Sequence, residues 1–196
     1  MGRPPFEILI TRQGWLGEND PDLDYDPAPV DLCSHGGIRL TIGGRVIALG
    51  EDDDEYGISE SALALLRTLE SDHSPEQRVA ERLIFHGCGL ILMKGCPVGI
   101  DWSVSHVGGQ VRIDDVVRYD TVDDTEAVRF PGVAVELSED EYRLHVVTFA
   151  ERAKEPFEGI AKEFEDDFER QQYEEFWEEF DARLNRAASN RGTCEG

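Results

Sequence analysis

Apolar and polar positions along the chain are arranged so that strands are predicted first and most of the helix last. The run 6–11, with Phe6, Ile8, Ile10 and Thr11, is rich in β-branched residues and reads as an opening strand. Two more apolar-rich runs, 38–42 and 45–49, flank Gly43-Gly44. Two glycines supply the positive φ angles of a primed turn, so this segment predicts a β-hairpin. Ala62, Leu63, Leu65, Leu66 and Leu69 then recur at helical spacing. They predict a helix over 59–71, with Ser59 or Ser61 capping its first turn.

From 82 to 119 the pattern returns to strands. The runs 82–86 and 90–94 are joined by Gly87-Cys88-Gly89, and the runs 101–106 and 110–119 by Val107-Gly108-Gly109. Alternation of Trp102, Val104 and His106, and of Val111 and Ile113, is that of strands with one buried face, and it assigns Trp102 and His106 to the core. A short strand over 133–137 follows. Ser138 and Glu141 then form a capping box that opens a helix to Ala153, with Tyr142, Val146, Phe149, Ala150 and Ala153 inward. Phe157, Ile160, Phe164, Phe168, Tyr173, Phe176, Trp177, Phe180 and Leu184 form one apolar stripe, assigned to a last helix ending near Ala187.

Strands joined by tight turns, with helices collected elsewhere, define an α+β fold. The expected architecture is a mainly antiparallel sheet built from hairpins, one helix after the first hairpin, and two C-terminal helices packed on the sheet. The length of 196 residues fits a single domain over 1–188, with an exposed acidic and proline-broken loop over 17–31 and a disordered tail over 189–196. The N-terminal apolar run is too short for a signal or a membrane span, so a cytoplasmic location is expected.

Charge changes the picture of partners. There are 42 acidic residues against 19 basic ones, a formal net charge of −23. That balance argues against nucleic acid and against anionic membranes, both of which need basic surfaces. It favours a basic protein partner. The stretch 163–181 carries ten carboxylates against Arg170 alone. Helical geometry sends its aromatics inward and turns Glu174, Glu175, Glu178 and Glu179 outward as a candidate docking face. Small acidic inhibitors such as the immunity proteins that neutralise nuclease toxins share this charge and size, and the analogy rests on those two properties alone. A second reading makes the acidity an adaptation to concentrated salt, where carboxylates keep a surface hydrated and salt screens their repulsion.

Catalytic motifs are absent: no nucleophile elbow, no H-E-x-x-H, no Walker loop. The one constellation with metal chemistry is Cys33, His35, His86, Cys88 and Cys96, thiols and imidazoles of the kind zinc prefers, though C-x-H and H-x-C are not finger spacings. A zinc enzyme or sensor is therefore the alternative to a binding protein. The alternating Asp20, Asp22, Asp24 and Asp26 invite weak cation binding, but Tyr25 stands where a calcium loop needs glycine.

Overall fold

The computed structural model describes residues 4–50, 55–87, 98–121 and 126–189. The strand expected over 90–94, the acidic run 51–54, Cys88, Cys96 and the tail beyond 189 lie outside these residues. Strand β1 (Phe6–Gly14) pairs antiparallel with β2 (His35–Ile42), Phe6 facing Ile42 and Gly14 facing His35. Gly43 and Gly44, at φ 59° and 73°, turn β2 into β3 (Arg45–Leu49), the hairpin the glycines predicted. Two short strands, β4 (Tyr56–Gly57) and β5 (Ile84–His86), bridge β2 to the second long hairpin. That hairpin is β6 (Gly99–Val107) and β7 (Gln110–Tyr119), turned through Gly108 and Gly109. The far edge of β7 carries β8 (Val128–Arg129) and β9 (Val135–Ser138). Every strand pair among the described residues is antiparallel.

Helix α1 (Ile58–Thr68) is buried on almost every side, because it lies between the sheet and the two later helices. Helix α2 (Glu139–Lys154) packs on α1, β1, β7 and β9. Its N-terminus is closed by the Ser138 hydroxyl, which accepts from the Glu141 N–H at 3.2 Å, and Tyr142, Val146, Phe149, Ala150 and Ala153 face inward as predicted. Each large side chain so buried contributes about 1.5–3 kcal/mol. Helix α3 (Asp167–Ser189) packs principally on α1 and α2, with Phe176 and Phe180 in the core and Trp177 and Leu184 against it. The architecture is α+β. No helix among the described residues is long and apolar enough to cross a membrane.

Three local expectations change. The N-cap of α1 is Gly57, and neither serine caps it. Ser61 Oγ donates to Gly57 O and accepts from Phe85 N–H of β5, while Ser59 Oγ accepts from Ser34 N–H just before β2, so both hydroxyls serve segments distant in the chain. The apolar stripe is not one helix. A 3-10 turn ends at Phe157, Gly159 stands at φ 79°, and α3 begins only at Asp167, leaving Phe168 70% exposed. Periodicity reads the spacing of apolar residues and is blind to a backbone break at a positive-φ glycine. Trp102 is core, but His106 is only half-buried: both its N–H and its Nδ1 lie 2.9 Å from Asp72 Oδ1.

Candidate functional site

The loop over 17–31 starts on the surface and ends in the interior. Asp20 and Asp26 accept from the N–H groups of Asp22 and Ala28, so two of the alternating aspartates shape turns. Asp31 then gathers the chain: its carboxylate accepts from Leu16 N–H at 2.8 Å and Cys33 N–H at 3.1 Å, and lies 3.1 Å from His35 Nε2. Cys33, Ser34 and His35 enter β2 fully enclosed. There they meet the start of α1, where Ser59 Oγ donates to Glu60 Oε2 at 3.0 Å. Gln13 Nε2 seals the flank, donating to Ser34 Oγ and to Ala153 O, both at 2.9 Å. From the other side Lys162 Nζ donates to Ala28 O and Asp31 O at 2.6 Å and sits 3.6 Å from the Trp15 ring centroid.

Burial sets the protonation states here. It pushes the Cys33 thiol well above its ordinary range, and the nearby Glu60 adds to the effect. It raises Glu60 as well, against the Cys33 and Ser59 hydrogen bonds that favour the carboxylate. Burial acts to lower His35, but the Asp31 carboxylate, with Glu60 and Glu55, outweighs it and raises the imidazole above its usual value. Burial likewise opposes ionisation of Asp31, whose hydrogen bonds from His35 and Leu16 nevertheless hold it below the usual range. Lys162, desolvated, falls to about 8.

Chemically this is a closed polar plug. A buried thiol held protonated is a poor nucleophile. Among the described residues His35 Nδ1 has no hydrogen-bond partner, and a Cβ built at Gly87 would stand 2.8 Å from it, so backbone closes over that nitrogen. Of the sequence-predicted ligands, Cys33 and His35 lie two residues apart where the chain enters β2. His86 faces Tyr56 across the β4–β5 ladder, and Cys88 and Cys96 are outside the described residues. Among the described residues no three His, Cys, Asp or Glu side chains gather around a metal position. Asp31, Glu60 and Lys162, which organise the cluster, escaped the sequence reading. The available hint was Lys162, one of only three lysines.

The four glutamates of α3 divide. Glu179 is held by Arg67 (Nε to Oε1 2.8 Å, NH2 to Oε2 2.6 Å) and by Arg183 (Nε to Oε1 2.8 Å). These guanidiniums hold its carboxyl at about 2. Glu175 is exposed and accepts from Gln171 Nε2 at 2.7 Å. Glu174 and Glu178 are exposed and meet no basic side chain among the described residues. At the helix start, Asp166 Oδ1 accepts from Glu169 N–H at 2.8 Å while Glu169 Oε2 accepts from Glu165 N–H at 2.6 Å. Part of the acidity is thus a cap, well placed at the positive end of the helix dipole. No known protein family, curated protein or solved structure matches this chain.

Proposed function

We propose that the protein is a non-enzymatic binding protein that docks a basic protein partner on the outer face of α3, through Glu174, Glu175 and Glu178. The observation that carries this reading is where the basic side chains go. Arg12, Arg39, Arg67, Arg112, Arg118, Arg143, Arg152, Lys154, Arg183 and Arg186 are all tied to carboxylates of the same chain. Lys162 is committed to two carbonyls. The surplus carboxylates are therefore left to the surface, and α3 presents them on one rigid element. Phe168 lies seven residues before Glu175 and so shares its helix face, putting an exposed aromatic beside the charge. Aromatic anchors within a charged rim are what interface hot spots are made of. Charge of this sign would also steer a cationic partner and make association sensitive to salt.

Titration calorimetry with an arginine-rich peptide tests the site. Replacing Glu174, Glu175 and Glu178 together with Gln should weaken binding about tenfold or more, and Phe168→Ala should weaken it as well. Replacing Asp22, Asp24 and Glu158, which are also exposed, with their amides removes the same charge elsewhere and should change affinity less than about threefold. Equal losses from the two triple variants would mean that net charge alone is felt, and would remove α3 as the docking face.

A further inference from the structure

A cavity of about 580 Å³ lies away from both α3 and the buried cluster, on the β6–β7 hairpin. Its size is within the range of small-molecule sites. The hairpin has a bulge there: Asp101 faces Val117 and Ser103 faces Asp114, so Asp115 and Val116 together stand opposite Trp102. Asp115 takes the left-handed conformation, φ 51°, a position that favours glycine. A bulge re-aims side chains, and backbone held in this region by a residue other than glycine is concentrated at functional sites.

Neighbouring charges in the cavity are already committed. Asp101 Oδ1 lies 2.9 Å from His73 Nε2, whose other ring nitrogen accepts from Val79 N–H, and Asp114 accepts from Arg112 Nε at 2.8 Å. Among the described residues Asp115 has only a long contact, 3.5 Å, from Ser103 Oγ. Arg78, on the connection between α1 and β5, and Arg129, on β8, line the same cavity and meet no carboxylate among the described residues. In a chain of net charge −23, two arginines without a carboxylate partner lining one cleft concentrate uncompensated positive charge there.

We propose that this cleft binds a small phosphorylated molecule with a hydroxylated body, a sugar phosphate in its simplest form. The two arginines, from separate segments that line one cavity, match a dianionic phosphate, which offers more acceptor oxygens than one carboxylate. Asp115 and Ser103 accept from hydroxyl groups, and Tyr119 supplies an apolar wall.

An NMR titration of the full chain with ribose 5-phosphate, and separately with ribose and with inorganic phosphate, decides the matter. Ribose 5-phosphate should shift the amide signals of Ser103, Asp115 and Tyr119 saturably at about millimolar concentration or below. Each half of the ligand alone should bind about tenfold more weakly or worse. The Arg78→Gln/Arg129→Gln variant should lose about tenfold in affinity, while Arg152→Gln on α2 should lose none. Asp115→Gly suits the backbone and should keep the fold intact, with an unchanged or higher thermal midpoint, yet lose the ligand. Absence of saturable shifts, undiminished binding in either cleft variant, or inorganic phosphate binding as well as the full ligand overturns the proposal.

Discussion

Glu179 ties α3 to α1, and the tie has a measurable strength. Its carboxyl is held at about 2 against an ordinary 4.5, chiefly by Arg67, with Arg183 adding to it. Taken at face value, that shift corresponds to about 3 kcal/mol. The side chain is a third exposed, so solvent screening reduces the figure to about 1–2 kcal/mol. Glu179→Gln should therefore lower the urea-unfolding free energy by that amount at neutral pH. Glu178→Gln, one position away and without a basic neighbour among the described residues, should change it by less than about 0.5 kcal/mol. The sign with pH follows from the depressed value: the contribution is complete above 4.5 and is lost as pH falls through about 2. The gap between parent and Glu179→Gln should accordingly narrow as the pH is lowered across that window. Equal stability of the two glutamine variants, or a gap that ignores pH, would refute the assignment of Glu179 to the fold.

Three further outcomes are expected. Lys162→Met should cost about 2–3 kcal/mol in urea unfolding and open the 17–31 loop to limited proteolysis, since both carbonyl bonds and the contact with Trp15 are lost. Cys33 should resist a thiol reagent such as an aromatic disulfide in native protein and react on unfolding, read out for Cys33 by peptide mapping, because it is enclosed and protonated. If the acidity serves a salty milieu instead of a partner, lowering salt below about 1 M should unfold the chain; retention of the cooperative urea transition in dilute buffer would leave partner docking as the reason for the charge.

What could be read from the sequence were the features whose causes are local. The Gly43-Gly44 and Gly108-Gly109 turns need positive φ, and glycine announces it. The start of α2 is written in Ser138 and Glu141, and its inward face in the spacing of Tyr142 to Ala153. Elements whose causes are distant were hidden. β4 and β8 are two residues each and exist only because β2 and β7 offer them free edges. Ser59 and Ser61 look like caps, but their hydroxyls are claimed by Ser34 and Phe85, 25 and 24 residues away. The cap at Asp166 and Glu169 was local and still missed, because a D-x-x-E signal vanishes inside a run of carboxylates. Cys33 and His35 stood out by residue type. Their surroundings did not, because burial of Glu60 is decided by how α1 packs, and nothing at position 60 marks that in advance.

Glu60 carries the opposite sign from Glu179, and the contrast separates two roles for acid in one chain. Burial raises its pKa above 4.5, so the folded state holds its proton more tightly than the unfolded chain does. Its contribution to stability is then fully present below 4.5 and is lost as pH rises through the folded value. His35, raised above 6.5 by Asp31, Glu60 and Glu55, works in the same direction, its contribution fading as pH rises past its own folded value. Glu60→Gln keeps an acceptor for Ser59 and removes the need to bury a charge. It should leave the protein more stable than the parent at about pH 7, with the advantage shrinking toward pH 4, as read from urea unfolding at both. Glu179→Gln should show its deficit in the same buffers, so one pair of experiments tests both signs. A Glu60→Gln variant that is less stable than the parent at neutral pH would mean that the carboxylate is needed in its ionised form. In that case the Asp31, His35 and Glu60 cluster would be held together by its charges rather than tolerating them.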